Sequence, residues 1–187
     1  MNGPRIISGK SKGRRLRSVP GDSTRPITDR TKESLFNIIG PDINHASILD
    51  LFAGTGSVGI EALSRGADFA CFIDIQWQAI ETIRANIETT GFNQFSVIYR
   101  MDAFQYLLKS PDRNYDYVYI APPQYKSLWK QAVVLLDEHP KWLTENAWVI
   151  IQIHPIEYEP ITFQNLVEFD QRRYGSTLLV FLEYSGS

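Results

Sequence analysis

Short apolar runs alternate with stretches of helical periodicity along the chain. Apolar runs of strand length lie at 47–52, 69–73, 95–99, 115–120 and 147–154. Apolar residues at helical spacing predict helices at about 58–65, 76–89 and 128–138, with a short helix after Asp102. Strands that alternate with helices form a parallel sheet with helices on both faces. The pattern therefore predicts an α/β fold whose ligand lies at the carboxyl ends of the strands.

The N-terminal segment departs from this alternation. Extended segments at 5–7 and 14–19 surround a turn rich in Gly, Ser and Lys, which predicts a β-hairpin. A helix should follow, with Thr28 or Asp29 at its N-cap and Gly40-Pro41 at its end. We therefore expect the first forty residues to form a hairpin extension plus one helix ahead of the sheet.

The C-terminal segment predicts a second hairpin. Strands at 166–173 and 177–184 flank Gly175-Ser176, which supplies the turn. This hairpin would add an antiparallel strand to a mostly parallel, seven-stranded, Rossmann-like sheet. Because no linker is long enough to divide the chain, we expect a single domain over 1–187, of which 1–40 is the extension.

Charge is distributed unevenly between the extension and the rest of the chain. Residues 1–34 hold nine Lys and Arg against three acids, a net charge of +6, whereas the whole chain has a net charge of −2. A basic arm on an acidic body favours a polyanionic partner such as RNA, contacted mainly by the arm. The alternative is a solvated, mobile tail. The predicted RNA-binding residues are Arg5, Lys10, Lys12, Arg14, Arg15 and Arg17.

Composition narrows the class of protein further. The chain of 187 residues is 43% hydrophobic and 21% charged, and no apolar run approaches the ~20 residues needed to cross a bilayer. Its single cysteine, Cys71, lies in an apolar run and has no partner for an intramolecular disulfide. The three histidines lack metal-ligand spacing. We expect a cytoplasmic protein, a monomer without a metal site or membrane anchor.

The strongest chemical signal is the segment Asp50-Leu51-Phe52-Ala53-Gly54-Thr55-Gly56-Ser57-Val58-Gly59, where a strand ends on an acid and a glycine turn opens a helix. Its six last residues also read as GxGxxG, the dinucleotide fingerprint. A dinucleotide would place an anionic pyrophosphate at the helix N-terminus, where Asp50 would repel it. S-adenosylmethionine has no phosphate, and its sulfonium and ammonium groups would be attracted to Asp50. The charge pattern therefore favours S-adenosylmethionine over a dinucleotide.

Two further acids follow the next strands in order. Asp74 ends the second strand, where a carboxylate can accept both ribose hydroxyls, and Asp102 follows the third, within reach of the adenine amino group. Trp77 could border the adenine pocket. The predicted cofactor-binding residues are Asp50, Phe52, Ala53, Gly54, Thr55, Gly56, Asp74, Ile75, Asp102 and Ala103.

Several motifs together resemble one known family. They are Arg5-Ile6-Ile7-Ser8-Gly9-Lys10, Lys12-Gly13-Arg14, Thr24-Arg25-Pro26, Thr28-Asp29-Arg30, Lys32-Glu33-Ser34-Leu35-Phe36-Asn37, the glycine turn, and Gly59-Ile60-Glu61-Ala62-Leu63-Ser64-Arg65-Gly66-Ala67. In this order they resemble the RsmD family of 16S rRNA (guanine-N2) methyltransferases. The resemblance is dense from Arg5 to Asp74 and looser to about Tyr125.

This resemblance implies a fold, an activity and a substrate. The fold would be the class I S-adenosylmethionine-dependent methyltransferase sheet with an N-terminal β-hairpin extension. The substrate would be the exocyclic N2 of a guanine in 16S rRNA, within the small ribosomal subunit or an assembly intermediate. By position, Arg25 and Thr28 would line the mouth of the cofactor site.

The chain departs from the family pattern after the fourth strand. The family has Asp-Pro-Pro-aromatic, whereas this chain has Ala121-Pro122-Pro123-Gln124-Tyr125. A carboxylate and a backbone carbonyl would accept the two N–H bonds of the guanine amine, and an aromatic ring would stack on the flipped base. Ala121 removes the carboxylate, Gln124 takes the aromatic position, and Tyr125 comes one residue late. These five residues are the predicted catalytic segment.

Three accounts of this departure stay open. Activity is retained, with the Pro122 carbonyl and the Gln124 amide as acceptors and Tyr125 stacking the base. Alternatively, transfer is slow or directed to another base, or the site binds S-adenosylmethionine and RNA without chemistry. The corresponding alternatives in function are a non-catalytic RNA-binding or ribosome-assembly factor and a methyltransferase for DNA or protein.

Overall fold

The computed structural model describes residues 3–21 and 26–186. Over these ranges the chain alternates between helices and strands, as its hydrophobic pattern predicts. The α-helices are α1 (Asp29–Ile39), α2 (Ser57–Ser64), α3 (Trp77–Thr90), α4 (Ala103–Leu107) and α5 (Leu128–Glu138). The strands are β1 (Ser47–Leu51), β2 (Phe69–Asp74), β3 (Ser96–Arg100), β4 (Tyr115–Ile120), β5 (Leu143–Ile153), β6 (Leu166–Tyr174) and β7 (Thr177–Tyr184).

The strands form one seven-stranded sheet in the order β3-β2-β1-β4-β5-β7-β6. The first five are parallel, and β7 pairs antiparallel with both β5 and β6. The predicted mostly parallel sheet with a closing antiparallel hairpin is confirmed. The order reverses between β1 and β4, so the carboxyl ends of β1, β2, β3, β4 and β5 share the edge where ligands bind in such sheets.

Most strand boundaries lie within one residue of the predicted ones, and two of the differences have a clear physical cause. β5 begins at Leu143, four residues before the predicted start, because Leu143 pairs with Tyr115 ahead of a register shift. β1 ends at Leu51, one residue early, because Phe52 has a φ of 60° and turns the chain out of the strand. The hydrophobic pattern predicts neither which strands pair nor where a residue other than glycine adopts a positive φ, so it could not predict these two boundaries.

The sheet separates two hydrophobic cores. On one face, α1, α2 and α3 pack over Ile48, Phe72 and Phe181; on the other, α4 and α5 cover a core that includes Trp142. Cys71 is buried in the second core, as a small apolar side chain would be. No helix in the described part of the chain is long and apolar enough to cross a membrane.

The N-terminal arm, residues 3–19, is a hairpin without regular strands. The predicted strands 5–7 and 14–19 reduce to one antiparallel bridge between Arg5 and Arg15, flanked by a hydrogen bond from Ile6 N–H to Arg14 O (2.9 Å). The predicted strands were therefore wrong, because tertiary contacts hold the segment instead of a ladder. Ile6 and Leu16 are buried in the core, so the mobile-tail alternative is wrong for the described residues.

A buried ion cluster fixes the arm to α1 and α2. The Glu61 carboxylate accepts hydrogen bonds from the backbone N–H groups of Ile7 (2.9 Å) and Ser8 (3.0 Å) and from Nε of Arg65 (2.8 Å). Nζ of Lys32 lies 3.6 Å from Glu61, and both side chains are fully buried. Burial lowers the pKa of Lys32, while the Glu61 carboxylate opposes this shift. Lys32, one of the nine basic residues of 1–34, is therefore not exposed on the protein surface.

Candidate functional site

The glycine turn after β1 is built by short-range backbone contacts. Ala53 N–H donates to Ile73 O (2.9 Å), and Gly56 N–H donates to Ala53 O (2.8 Å), which closes the turn before α2. Gly54 and Gly56 have φ values of 57° and 76°, a region that suits glycine. The turn therefore presents its backbone at the start of α2.

The glycines of this loop differ in what surrounds them. A Cβ on Gly59 would lie 2.4 Å from Cε1 of Phe72, and one on Gly56 would lie 3.3 Å from Phe72 and Ile83. A Cβ on Gly54 would meet no atom within 4 Å. Gly56 and Gly59 thus let α2 approach the sheet closely, whereas Gly54 faces open space in which a ligand could lie.

Asp50 lies beneath the loop. Its side chain is nearly fully buried, and its Oδ2 accepts a hydrogen bond from the Gly59 N–H in the first turn of α2 (3.2 Å). Burial raises the pKa of Asp50 well above its usual range, the Gly59 hydrogen bond lowers it, and the charge of Asp74 raises it further. The carboxyl group therefore holds the loop through a hydrogen bond, and in its ionised form it would attract a cationic ligand.

Asp74 and Asp102 support the neighbouring loops. Asp74 accepts hydrogen bonds from Gly54 N–H and Gln76 N–H, both at 2.9 Å, and so ties the β2 loop to the glycine turn. Asp102 caps α4, since its Oδ1 accepts from the backbone N–H groups of Phe104 and Gln105, both at 3.0 Å. Three predicted acids therefore lie at or just after the carboxyl ends of β1, β2 and β3, along one edge of the sheet.

The remaining predicted cofactor residues border the same edge. Ile75 and Trp77 are exposed after β2, and Trp77 lies near the guanidinium groups of Arg84 and Arg100, 5.8 and 5.7 Å from its ring. Ala103 is buried at the start of α4. The partly buried Phe52, Ala53 and the buried Thr55 complete the loop.

The segment after β4 has a partly buried and an exposed portion. Ala121, Pro122 and Pro123 are partly buried, whereas Gln124 and Tyr125 are exposed, Tyr125 by 68% of its surface. Tyr125 also has a φ of 63°. The structure thus places the predicted stacking ring at the mouth of the site and the Gln124 amide in solvent.

Glu157 holds this segment to the end of β5. Its Oε1 accepts a hydrogen bond from Tyr125 N–H (2.7 Å), and its Oε2 accepts one from His154 N–H (3.2 Å). The rings of Tyr125 and His154 lie 6.0 Å apart. Glu157 was missed in the sequence, where it lies far from the segment and carries no motif.

A second contact joins β4 to β5 nearer the core. The hydroxyl of Tyr119, which is 3% exposed, donates a hydrogen bond to Oε1 of Gln152. Gln152 is partly buried close to the end of β5. Neither residue was predicted, because the contact depends on the pairing of β4 with β5.

The six predicted RNA-binding side chains are all exposed, so the arm presents them to solvent: Arg5, Lys10, Lys12, Arg14, Arg15 and Arg17. Arg5 also lies near Asp29, with 3.8 Å between Nε and Oδ2, and Arg14 donates to Thr89 O at the end of α3.

The arm also contacts the glycine loop through Asn86. The Asn86 Oδ1 accepts from Arg17 N–H (2.7 Å), and its Nδ2 donates to Arg17 O (3.2 Å) and to Thr55 O (2.9 Å). Of the two residues implied at the cofactor mouth, Arg25 lies outside the described residues. Thr28 is the N-cap of α1, accepting from Thr31 N–H (3.1 Å), so its hydroxyl serves the helix.

A separate polar cavity of about 240 Å³ lies at the opposite edge of the sheet. Its lining includes Asp42, His45, Asp116 and Thr144, near the starts of β1 and β4. It therefore lies away from the ends of the strands that carry the predicted residues. Among the described residues, His, Cys, Asp and Glu side chains form no group that could hold a metal ion.

Comparisons with known proteins decide the family. A family model described as Conserved hypothetical protein 95 matches residues 4–183. A Bacillus subtilis (strain 168) protein named "Putative rRNA methyltransferase YlbH" is 40% identical over 176 residues, covering 92% of this chain and 95% of that protein. The "Ribosomal RNA small subunit methyltransferase D" of Buchnera aphidicola subsp. Acyrthosiphon pisum is 34% identical over 147 residues, covering 79% of this chain and 76% of that protein. The chain belongs to the RsmD family.

A solved structure supports the same conclusion for the fold. The Escherichia coli protein described as "Putative methyltransferase yhhF" has a TM-score of 0.87 at 28% identity, covering 97% of this chain and 98% of that chain. The RsmD resemblance and the class I methyltransferase fold are both confirmed. The family match begins in the arm and includes the segment 121–125, so both belong to the shared architecture.

Proposed function

We propose that the protein is an S-adenosylmethionine-dependent methyltransferase that modifies the exocyclic N2 of a guanine in 16S rRNA. One observation carries the proposal: in a chain of the RsmD family, three acids and a glycine turn lie along one edge of a class I methyltransferase sheet. We expect it to act as a cytoplasmic monomer on the small ribosomal subunit or an assembly intermediate.

The residues of the β1–β3 edge fit this cofactor. Asp50, Asp74 and Asp102 suit a cationic ligand with hydroxyl and amino groups, and the open space beside Gly54 admits a ligand close to the backbone. Asp74 would accept from the ribose hydroxyls and Asp102 from the adenine amine. When bound, S-adenosylmethionine would supply an electrophilic methyl group to the substrate nitrogen, with the C–S electron pair retained by sulfur and the surplus proton released to water.

The segment after β4 would orient the acceptor base. Pro122 and Pro123 restrict the backbone, so the carbonyl near Pro122 can accept one N–H of the base amine, and Tyr125 can stack on the flipped ring. A guanine N2 is a weak nucleophile, and its orientation toward the methyl group supplies much of the rate. Loss of one charge-assisted hydrogen bond at Ala121 slows transfer about tenfold to hundredfold, which is not abolition.

The arm would dock the RNA backbone. Its six exposed Lys and Arg side chains provide phosphate contacts that weaken as the salt concentration rises. Reversing two of them, Arg14→Glu with Arg15→Glu, should weaken RNA binding and flatten its salt dependence while the affinity for S-adenosylmethionine stays the same. Equal RNA affinity in this variant would remove the arm from the interface.

The decisive experiment is methyl transfer from labelled S-adenosylmethionine to unmethylated small ribosomal subunits, with naked 16S RNA in parallel. Label in N2-methylguanosine is the expected result. Label in another nucleoside would contradict the guanine assignment. The second candidate is a non-catalytic RNA-binding or assembly factor, which the alanine at position 121 favours. It predicts binding of S-adenosylmethionine and RNA without any label.

A further inference from the structure

A polar side chain, Gln152, follows the last residue pair of β4 and β5, as does the alanine that replaces the family's carboxylate. Tyr119 pairs with Ile150 and Ile120 with Ile151, the last pair of the ladder, so Ala121 and Gln152 are the next residues along the two neighbouring segments. Tyr119, Ile150 and Ala121 all belong to the core on the α1–α3 face. Since side chains alternate along a strand, Gln152 projects to that same face, two residues beyond Ile150.

The Gln152 amide is held in place from one side. The buried Tyr119 hydroxyl donates to its Oε1, and a buried hydroxyl left without this acceptor would cost free energy. Oε1 keeps a second lone pair, and in the described part of the chain the Nε2 group has no hydrogen-bond partner. The amide is thus oriented and partly buried, with a donor and an acceptor still available.

We propose that Gln152 recognises the acceptor base and supplies the hydrogen-bond acceptor that Ala121 lacks. This inference rests on the proposed function. Around its exocyclic amine, guanine offers the N2–H donors and the N3 acceptor. A carboxamide is complementary to this edge, since Oε1 accepts an N2–H and Nε2 donates to N3. Because the amide is neutral, it would orient the amine less strongly than a carboxylate.

Gln124, the residue that sequence reasoning favoured for this role, offers a weaker case. Its side chain is exposed in the segment after β4, whereas Gln152 lies in a strand and accepts a bond from a buried donor. A group fixed on a strand orients a substrate at lower entropic cost than an exposed side chain on a loop. Gln152 is therefore the glutamine whose loss should affect transfer.

The test compares methyl transfer to small ribosomal subunits by wild type, Gln152→Ala and Gln94→Ala, the control, whose exposed glutamine lies just before β3 at the opposite edge of the sheet. We expect kcat/KM for the subunit to fall about tenfold in Gln152→Ala and to stay unchanged in Gln94→Ala, with unchanged S-adenosylmethionine affinity in both. Equal rates for Gln152→Ala and wild type would overturn the proposal. Absence of transfer by wild type, by contrast, would contradict the proposed function itself.

A double-mutant cycle separates recognition from support of the fold. Ala121→Asp restores the family's carboxylate, so Gln152→Ala should cost much less in that background than in wild type. The same loss in both backgrounds would overturn the proposal.

A second double variant tests whether Gln152 only supports the fold. Tyr119→Phe with Gln152→Met removes both hydrogen-bonding partners and leaves no hydroxyl without a partner. It should lose activity as Gln152→Ala does, and Tyr119→Phe alone should lose less. A loss from Tyr119→Phe equal to that of Gln152→Ala would indicate a structural role and overturn the proposal.

Discussion

The two halves of the site are held together in different ways. The cofactor half consists of the ends of β1, β2 and β3 and the loops that follow them. Its three acids accept hydrogen bonds from backbone N–H groups that are close in the sequence: Asp50 from Gly59, 9 residues away, Asp74 from Gly54, 20 residues away, and Asp102 from Phe104, 2 residues away. In the acceptor half, residues 119–127 and 152–157, the hydrogen bonds that join the two segments span 32 residues for Tyr125 and Glu157 and 33 for Tyr119 and Gln152.

This difference has a functional consequence. The cofactor half supports its own backbone through the groups that would face the ligand, so a change there disturbs loop and ligand together. The acceptor half depends on side chains of a neighbouring strand and carries an exposed, left-handed Tyr125. We therefore expect substitutions in the cofactor half to affect folding and cofactor affinity, and those in the acceptor half to affect turnover of RNA.

The largest effect should come from Gly59→Ala. The added methyl group would lie 2.4 Å from Cε1 of the buried Phe72, so either this ring or helix α2, which bonds to Asp50, would have to move. We expect a loss of about 1–3 kcal/mol in the free energy of unfolding, typical of overpacking, with a strong loss of S-adenosylmethionine affinity. Urea denaturation and calorimetric titration measure the two.

Phe72→Leu supplies the control for this prediction. Combined with Gly59→Ala, the smaller side chain should restore part of the stability that Gly59→Ala alone loses, because the clash is with the phenylalanine ring. If Gly59→Ala were as stable as wild type, the close packing of α2 on β2 would not limit this position.

Asp74→Asn should have the next largest effect, which we expect mainly on the affinity for S-adenosylmethionine. The carboxylate accepts from Gly54 N–H and Gln76 N–H, and would also accept from the ribose. Replacing a charged acceptor costs about 1.5–3 kcal/mol, so the Kd for S-adenosylmethionine should rise about tenfold to hundredfold. The matched control is Asp68→Asn, an exposed acid at the start of β2 whose partner is His45. Equal affinities in the two variants would contradict a ligand role for Asp74.

The contrast between the halves also explains what the sequence could predict. Helix α5 and strand β4 have the predicted bounds, because hydrophobic periodicity and turn residues determine them locally. The family and the positions of Asp50, Asp74 and Asp102 followed from motifs read in order along the chain. Lys32 and Glu157 could not be placed in this way: a lysine in a basic segment looks like a surface charge, and its burial depends on Glu61 in another helix.

The acceptor half was the hardest part to predict for the same reason. The prolines mark the segment 121–125 in the sequence. The groups that hold it come from the end of β5 and from the turn after this strand, and neither carries a motif. Knowing the strand order would have identified Gln152 and Glu157, since β4 and β5 are neighbours. Strand order depends on packing of the whole sheet and cannot be read from either segment alone.

The protonation of Asp50 should have a smaller effect, on the pH dependence of the free energy of unfolding. Because burial raises its pKa in the folded protein, the folded state binds a proton that the unfolded state has released. The resulting stabilisation is complete below the usual pKa of 3.8 and is lost as the pH rises toward the folded-state pKa. Asp50→Asn should remove this part of the pH dependence from the free energy of unfolding of the cofactor-free protein.

Cofactor binding should favour the ionised form of Asp50, whereas folding favours its protonated form. A cationic ligand favours the carboxylate form, so S-adenosylmethionine should displace the proton and bind more tightly as the pH rises. Titrations in two buffers of different ionisation enthalpy would measure this release, which Asp50→Asn should abolish and Asp68→Asn should preserve. A wild-type affinity independent of pH would indicate that Asp50 supports the loop without contributing its charge.

The smallest effect, and the one that tests the division into halves most directly, is that of Glu157→Gln. The amide keeps one acceptor and loses the other, so either Tyr125 N–H or His154 N–H loses its partner. The bond that is lost is accepted by a charged carboxylate, but water can replace this acceptor at the exposed Tyr125 N–H. We therefore expect a cost of only about 0.5–1.5 kcal/mol, so kcat/KM for the RNA should fall about twofold to tenfold. The affinity for S-adenosylmethionine should not change, because within residues 3–21 and 26–186 the Glu157 side chain forms hydrogen bonds only to the acceptor half. Glu159→Gln, two residues along and paired with Lys130 at the surface, should leave both quantities unaltered. If Glu157→Gln weakened cofactor binding as much as turnover, the two halves would behave as one unit, and the local contacts of the glycine loop would not suffice to form the cofactor site.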